Sequence, residues 1–355
     1  MGKIKVLVVD DSMFMRKMIV RLVEEDGDIE VVGTARNGAE GVRMVKELRP
    51  DVVTMDIEMP EMNGIEALAR IMDELPTRVI MISSLTQEGA EETITALQGG
   101  AVDFIPKPSG TLSSGLAVAR EEIVGKIKAA ARTPLSVLIS ARRGASRQQI
   151  AWQPKRAVSA GSKEFRHIVA IGTSTGGPKA LETVLTGLPA DFPYPVLVVQ
   201  HMPPKFTFSL AQRLNNICRI RVVEAEDGQV IQGGTAYIAP GGYHMTLVRK
   251  RDEVRIALHQ EPPQNGHRPS VDVMFESVNM LPGLKKHYVI MTGMGSDGAK
   301  AMAQAKRQGA ESTIAEAQDT CVVFGMPRAA ISLNCVDHVV PVTVIAAKIR
   351  QLTGV

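Results

Sequence analysis

The stretch HIVAIGTSTGG, His167 to Gly177, runs from a continuously apolar segment directly into a turn of Ser, Thr and Gly. Two further segments have the same form, PVLVVQHMPP (Pro195 to Pro204) and HYVIMTGMGSDG (His287 to Gly298). Apolar runs of this length that are rich in β-branched residues are typical of strands buried on both faces of a parallel sheet. The second half of the chain is therefore predicted to be an α/β domain.

A serine, a histidine and an aspartate stand just past the ends of these three strands, at Ser174, His201 and Asp297. The carboxyl ends of parallel strands meet at one edge, where open α/β sheets carry their ligand sites. A serine hydroxyl becomes a good nucleophile when an imidazole takes its proton and a carboxylate orients that imidazole. We therefore predict a Ser-His-Asp hydrolase in which Ser174 attacks, His201 is the general base and Asp297 orients it.

The same residues have structural alternatives. GTSTG matches the Gly-x-Ser-x-Gly nucleophile elbow, but α/β-hydrolases order their triad Ser, acid, His, and here the order is Ser, His, acid. The α/β-hydrolase fold is therefore not implied. Ser174 or Thr175 could instead cap the helix that opens with Pro178, His201 could bond to backbone, and Asp297 could cap a helix. GTSTGG lacks the spacing of a dinucleotide or Walker loop.

In the first half of the chain, acidic residues, a hydroxyl residue and a lysine follow predicted buried strands. In MGKIKVLVVDDS, Asp10 and Asp11 follow the apolar run. Asp56 ends DVVTMD, Ser83 and Ser84 end VIMISS, and Lys107 lies in FIPKP. Three carboxylates at one sheet edge form a hard oxygen site suited to Mg²⁺, which prefers carboxylates together with phosphate oxygens. A lysine beside them can neutralise a phosphoryl group. This half is predicted to hold a magnesium-dependent phosphoryl site.

These motifs give both halves of the chain a family resemblance. Met1 to about Ala119 resembles a two-component receiver domain, and about Phe165 to the end resembles the catalytic domain of the CheB family of chemotaxis protein-glutamate methylesterases. The segments RPSVDVMF (Arg268 to Phe275) and VVFGMPRAA (Val322 to Ala330) are also similar to that family. The resemblance covers nearly the whole chain apart from a linker.

The resemblance implies a role for each site residue. In the receiver half, Asp56 accepts phosphate and binds Mg²⁺ together with Asp10 and Asp11, while other residues respond to the phosphate. In the catalytic half, Ser174, His201 and Asp297 fall on the catalytic positions, and no cofactor is needed for ester hydrolysis. The implied receiver switch residues are Ser83, Phe104 and Lys107, and the implied oxyanion donors are the backbone amides of Thr175 and Met294.

The resemblance also implies a function. The substrates are γ-glutamyl methyl esters of membrane chemoreceptors, and the phosphodonor is the chemotaxis histidine kinase. The resemblance implies that receptor glutamines are deamidated as well, which the physics permits, since acyl transfer from an amide passes through the same tetrahedral oxyanion. The unphosphorylated receiver is expected to hinder receptor access to the Ser174 pocket. The alternatives are a receptor-docking module without catalysis and a DNA-binding response regulator, although no helix-turn-helix pattern is visible.

Length and composition favour two domains, since 355 residues exceed the usual span of one core. We predict a receiver at residues 1–122, a basic linker at 123–163 and a catalytic domain at 164–355. The linker contains nine Lys or Arg residues and no Asp or Glu, and we expect it to be helical only at its start. The receiver is predicted to be a flavodoxin-like (βα)₅ fold. The catalytic domain is predicted to be a doubly wound, mostly parallel sheet with an antiparallel hairpin from Ala236 to Gln260.

Charge and cysteine content exclude several classes of protein. With 41 basic and 38 acidic side chains the formal net charge is only +3, so no nucleic-acid partner is expected. The three cysteines have no paired spacing, which fits a reducing cytoplasm, and no apolar run is long enough for membrane insertion. We expect a cytoplasmic protein. His244 and His259 are expected at the hairpin surface, and His267 is expected to be able to line the catalytic pocket.

Overall fold

The computed structural model describes residues 2–107, 113–139 and 165–355. The chain divides into two units, Met1–Gln149 and Ile150–Val355. Each unit contains a parallel sheet with helices, as predicted, and the second also contains an antiparallel hairpin. Within the described ranges, none of the helices is long and apolar enough to cross a membrane. The expected cytoplasmic location stays a prediction.

In the first unit, strands alternate with helices. The strands are β1 (Ile4–Val9), β2 (Ile29–Ala35), β3 (Val52–Asp56), β4 (Arg78–Ser83) and β5 (Asp103–Pro106). The helices are α1 (Met13–Glu24), α2 (Gly38–Leu48), α3 (Gly64–Glu74), α4 (Gln87–Gly99) and α5 (Ser113–Arg132), followed by helical residues 135–139 (α6). The sheet order is β2-β1-β3-β4-β5 and every pair is parallel, as expected for a flavodoxin-like fold.

Buried strands and polar helix caps explain why these elements form. The run Val6–Val9 in β1 and the whole of β3 are buried, as central strands of a sheet covered on both faces should be. Helices α1 to α4 each begin at a side chain that accepts a backbone N–H of the first turn, a donor that would otherwise lack a partner. These caps are Ser12, Asn37, Asn63 and Thr86.

Helix α5 runs across the predicted boundary between residues 122 and 123. It continues to Arg132, so the predicted linker begins as helix. Ile123 and Ile127 are fully buried, and residues four apart lie on one face of a helix. This apolar face stabilises the part of α5 beyond residue 122. Residues 140–163 of the predicted linker lie outside the described residues. The domain limits therefore stay predictions.

The second unit contains nine strands and six helices within its described residues. The strands are β6 (His167–Thr173), β7 (Val196–Gln200), β8 (Arg221–Glu224), β9 (Thr235–Ile238), β10 (His244–Lys250), β11 (Glu253–His259), β12 (Lys285–Ile290), β13 (Ser312–Glu316) and β14 (His338–Val340). The helices are α7 (Gly177–Thr186), α8 (Phe206–Ile217), α9 (Val271–Asn279), α10 (Ala299–Arg307), α11 (Met326–Ser332) and α12 (Val342–Thr353).

The main sheet of the second unit reverses its direction of winding at β6. Its order is β14-β13-β12-β6-β7-β9-β8, and every pair is parallel. From β6 the chain first builds one side of the sheet with β7, β8 and β9, and then the other side with β12, β13 and β14. This is the predicted doubly wound architecture, and the point of reversal is where ligand sites of such sheets lie.

The antiparallel hairpin is shorter than predicted. It consists of β10 and β11 alone, paired from His244 with His259 to Lys250 with Glu253. The residues Ala236–Ile238, predicted as its first strand, belong to β9 and pair in parallel with β7 and β8. A short apolar run has the same pattern whether it belongs to a parallel sheet or to a hairpin. The sequence of Ala236–Ile238 therefore does not indicate which sheet this strand joins.

The prediction that His244 lies at the hairpin surface is wrong. Its side chain is buried at 1% exposure because β10 packs against α9. The ring bridges two segments, since Nε2 lies 3.2 Å from the carbonyl oxygen of Pro262 and Nδ1 accepts the backbone N–H of Ser270 at 3.3 Å. Burial lowers the pKa of His244 below its ordinary value. His259, its partner across the hairpin, is partly exposed.

Candidate active site and phosphoryl site

Strand register brings Ser174 and His201 side by side. Thr173 at the end of β6 pairs with Gln200 at the end of β7, and the backbone N–H of His201 donates to the carbonyl of Thr173 at 3.2 Å. Ser174 and His201 are the next residues along these two strands. Both therefore emerge at the carboxyl edge of the sheet, where its winding reverses.

His201 and Asp297 form a buried hydrogen-bonded pair. The Nε2 atom of His201 lies 2.9 Å from Oδ2 of Asp297, and the two side chains are 6% and 1% exposed. Because a carboxylate only accepts hydrogen bonds, the proton of a neutral His201 belongs on Nε2. The other nitrogen, Nδ1, is buried without a hydrogen-bond partner among the described residues. Nδ1 is therefore the atom that can accept a proton from a nucleophile.

The Asp297 carboxylate sits at the N-terminus of α9. It accepts the backbone N–H groups of Val271 at 2.7 Å and Asp272 at 3.2 Å, and the hydroxyl of Ser270 at 2.9 Å. A helix N-terminus favours negative charge, so this position suits an ionised carboxylate. Helix α10, which Asp297 was alternatively predicted to cap, has Gly298 at its N-cap position and no side-chain cap.

The surroundings of Asp297 keep it ionised. Burial alone would raise the pKa of this carboxyl, but the hydrogen bond and charge of His201 and the N–H of Val271 outweigh burial. The pKa of Asp297 consequently lies well below its ordinary value. An anion at this position can stabilise the imidazolium that forms when His201 takes a proton.

The two predicted oxyanion residues lie on turns that meet at Ser174. The backbone N–H of Ser174 donates to the carbonyl of Thr292 at 3.0 Å, and a Cβ placed on Gly293 would lie 2.8 Å from Cβ of Ser174. Thr175 directly follows Ser174, and Met294 directly follows Gly293. Only a residue without a side chain lets these turns approach so closely. The assignment of the two amides as oxyanion donors stays a prediction.

In the first unit, three carboxylates converge on one edge of the sheet. The register that pairs Val9 with Met55 places Asp10 beside Asp56, and one carboxylate oxygen from each of Asp10, Asp11 and Asp56 lies within 4.8 Å of the others. Oδ2 of Asp10 is buried without a hydrogen-bond partner among the described residues. A buried carboxylate oxygen left in this state, in an all-oxygen cluster, fits a hard divalent cation such as Mg²⁺.

Burial and mutual repulsion change how these acids titrate. Burial, with repulsion from Asp56, raises the pKa of Asp10 to about 6. Burial also raises the pKa of Asp56 above its ordinary value, although Lys107 opposes this shift. The Lys107 ammonium lies 2.8 Å from Oδ1 and 2.9 Å from Oδ2 of Asp56, so it is in place to contact a phosphoryl group there.

The other two predicted switch residues are buried near the same edge. The Ser83 hydroxyl accepts from the hydroxyl of Thr93 at 2.8 Å and lies 3.0 Å from the carbonyl of Gly89, so it is bonded to helix α4. The Phe104 ring is 3% exposed, and the ammonium of Lys126 lies 5.1 Å from its centroid. Both side chains are thus inward-facing here.

Two family models match the chain. The model described as CheB methylesterase matches residues 169–349, and the response regulator receiver domain model matches residues 6–113. The chain belongs to the CheB methylesterase family. It is 52% identical to the protein-glutamate methylesterase/protein-glutamine glutaminase of Geobacillus kaustophilus, with 100% of both chains covered.

Two further CheB-family proteins show how far the likeness extends. The protein-glutamate methylesterase/protein-glutamine glutaminase of Pyrococcus horikoshii is 47% identical, over 96% of this chain and 90% of that protein. The crystal structure of the Thermotoga maritima CheB methylesterase catalytic domain matches with a TM-score of 0.52 and 42% identity. That match covers 53% of this chain and 100% of the other.

A two-residue turn that sequence analysis missed supports the base in this CheB-family site. Asn265 and Gly266 both have positive φ, 53° and 81°, and Gln264 and His267 pair across them through two backbone hydrogen bonds. The Asn-Gly dipeptide is the usual signal for such a turn, so the signal was present in the sequence. The turn stacks the ring of His267 on that of His201, with centroids 3.8 Å apart and planes 12° apart.

Gln200 is a second residue that sequence analysis did not assign. Its buried Nε2 donates to the carbonyl oxygens of Ser174 at 3.0 Å and His201 at 3.2 Å, so one amide ties the nucleophile turn to the base. Gly177 makes room for it, since a Cβ there would lie 1.9 Å from Oε1 of Gln200. No local sequence pattern indicates such a cross-strand role.

Proposed function

We propose that this chain hydrolyses γ-glutamyl methyl esters of chemoreceptors, releasing methanol, and deamidates receptor glutamines. Relatives that are 50% and 52% identical over at least 98% of the chain carry the name protein-glutamate methylesterase/protein-glutamine glutaminase. The single observation that carries the mechanism is the 2.9 Å contact between His201 Nε2 and Asp297 Oδ2, beside the strand end that bears Ser174. A general base requires a buried, oriented imidazole whose Nδ1 has no hydrogen-bond partner among the described residues, and a binding module does not.

The proposed reaction proceeds by acyl transfer to Ser174. Nδ1 of His201 takes the hydroxyl proton as Oγ of Ser174 bonds to the ester carbonyl carbon, and Asp297 stabilises the resulting imidazolium. The oxyanion is held by the backbone amides of Thr175 and Met294. His201 then returns the proton to the leaving methoxide, which departs as methanol. A water activated by His201 finally hydrolyses the glutamyl ester on Ser174 and restores the hydroxyl.

The same groups support deamidation. Attack on a glutamine amide produces a tetrahedral oxyanion at the same carbon, so the donors and the base keep their roles. The leaving group is then ammonia, which receives its proton from His201. Both reactions leave a glutamate side chain on the receptor.

We further propose that the first unit accepts a phosphoryl group from the chemotaxis histidine kinase on Asp56. Asp10, Asp11 and Asp56 would hold Mg²⁺, which supplies positive charge that offsets the phosphoryl oxygens and the acids themselves. Lys107, already paired with Asp56, would contact the phosphoryl group. Ser83 and Phe104 would change their buried contacts in response.

Phosphorylation is proposed to raise the turnover of the second unit. A covalent change can do so only by favouring one state of the protein over another, with a typical coupling of about 1 to 3 kcal/mol. Such a coupling corresponds to roughly 5-fold to 150-fold activation. This regulation would involve two domains joined by a linker. The predicted limits are 1–122 for the receiver, 123–163 for the linker and 164–355 for the catalytic domain.

A methanol-release assay on methylated receptor membranes tests the proposal. The full-length chain should release methanol, and adding Mg²⁺ and acetyl phosphate should raise the rate. A chain that binds the membranes but releases no methanol would instead be a receptor-docking module. Membranes carrying glutamine at the modification sites test deamidation by ammonia release in the same preparation.

A further inference from the structure

Glu316 is a buried carboxylate that the proposed mechanism does not use. It is the last residue of β13 and is 1% exposed. Its Oε2 accepts the backbone N–H of Thr292 at 2.8 Å, and its Oε1 accepts the hydroxyl of Thr320 at 3.0 Å. Burying a polar side chain costs folding free energy unless the side chain is hydrogen-bonded, so the role of Glu316 depends on these two hydrogen bonds. One of them leads to the active site.

Thr292 joins the turns that surround the nucleophile. Its carbonyl oxygen accepts from the backbone N–H of Ser174 at 3.0 Å and from the hydroxyl of Thr173 at 2.8 Å. Its own hydroxyl donates to the carbonyl of Thr175 at 2.9 Å and accepts the backbone N–H of Val323 at 3.0 Å. The backbone N–H of Thr292 is the remaining attachment, and it goes to the carboxylate at the end of β13.

We propose that Glu316 is a positioning residue for ester hydrolysis. Through Thr292 it fixes where the backbone amides of Thr175 and Met294 lie relative to Ser174. This inference rests on the proposed function. Thr175 receives the Thr292 hydroxyl directly, and Met294 follows Thr292 by two residues, so a shift of that one residue displaces both donors. Oxyanion donors act only when they are preorganised, because their value depends on where charge develops in the transition state.

The test compares two full-length variants in the methanol-release assay. Glu316→Ala removes the acceptor for the Thr292 N–H, and kcat should fall by about 10-fold to 100-fold while KM changes by less than about twofold. Glu316→Gln keeps a carbonyl oxygen for Thr292 and offers an N–H to the hydroxyl of Thr320. Its kcat should stay within about threefold of the unchanged chain. Equal kcat in Glu316→Ala and the unchanged chain would overturn the proposal.

Thr320→Val is the matched structural control. It removes the other side-chain partner of Glu316 and leaves the bond to Thr292, so it should lower Tm with little change in kcat. If Thr320→Val loses as much kcat as Glu316→Ala at a similar loss of Tm, Glu316 only stabilises the fold. Should Glu316→Ala fail to fold, Thr292→Val and Thr292→Ser decide. The serine variant should retain activity and the valine variant should lose it, and equal activities contradict the proposal.

A fluorophosphonate probe separates this inference from the proposed function. Phosphonylation of Ser174 also passes through a state stabilised by the oxyanion donors, but it needs no receptor. Glu316→Ala should therefore react more slowly than Glu316→Gln by a factor similar to that seen in kcat. If the unchanged chain releases no methanol, yet Glu316→Ala is phosphonylated more slowly than Glu316→Gln, the proposed substrate is wrong and the positioning role holds. If methanol is released and the difference is absent, only the positioning role fails.

Discussion

The carboxylate of Asp297 accepts the backbone N–H of Val271 at 2.7 Å, so the residue that bonds to His201 also binds the N-terminus of helix α9. Asp297→Asn keeps the shape but places an amide donor among groups that are all donors. In serine proteases the corresponding change costs on the order of 10⁴ in kcat, and we expect a loss of the same sign here. We also expect a lower Tm. Unchanged kinetics at neutral pH, measured by methanol release, would reduce Asp297 to a helix cap.

Ser174→Ala removes the proposed nucleophile. Loss of the serine in a triad costs on the order of 10⁶ in rate, so methanol release should become undetectable. Phosphorylation of Asp56 should survive, because that residue lies in the other unit. Retention of more than a tenth of the turnover would refute the assignment of Ser174.

Phosphorylation is expected on Asp56. With Mg²⁺ and acetyl phosphate, label should appear on the chain and disappear in Asp56→Asn, because an amide is not a nucleophile toward phosphorus. Chelating the metal should stop labelling, since the repulsion among Asp10, Asp11 and Asp56 is then no longer offset. Label that persists on a histidine or a serine contradicts the receiver assignment.

Removing the receiver tests how the two units are coupled. The fragment from Phe165 to Val355 should be more active than the unphosphorylated full-length chain, if the receiver hinders access to the Ser174 pocket as the family resemblance implies. It should also be indifferent to acetyl phosphate. Circular dichroism checks that the fragment is folded. A folded fragment slower than the unphosphorylated chain would mean that the receiver contributes positively to catalysis or to receptor docking.

Glu316 should make stability depend on pH. Burial raises its pKa to about 7, from an ordinary value of 4.5, so folding favours its protonated form. The associated stability is fully present below pH 4.5 and is lost as pH rises through 7. Glu316→Gln mimics the protonated acid and should be the more stable chain at pH 8, by on the order of 3 kcal/mol, with a much smaller difference at pH 5. Denaturant unfolding at the two pH values measures this difference, and equal differences at both would contradict it.

The strand-end residues were predictable because their placement follows from local pattern. Ser174, His201 and Asp56 each follow an apolar run, and parallel strands bring such ends together. Glu316 could not be assigned, since its partner Thr292 is distant in sequence and only the β12–β13 register joins them. His244 was misplaced for a similar reason, because burial of β10 depends on α9, which the hairpin sequence does not contain.

The Asn265–Gly266 turn and the residue after it contact both members of the His201–Asp297 pair. Asn265 donates to the Asp297 carboxylate at 3.1 Å, and His267, two residues later, stacks on His201. Any movement of this loop therefore disturbs the acid and the base at once, whereas the nucleophile turn has a further attachment, through Thr292, that does not involve this loop. The acid and the base thus share one supporting loop, and the nucleophile turn is held in addition by Thr292. We expect a sequence change in this short loop to alter proton transfer at His201 more than the stabilisation of the oxyanion.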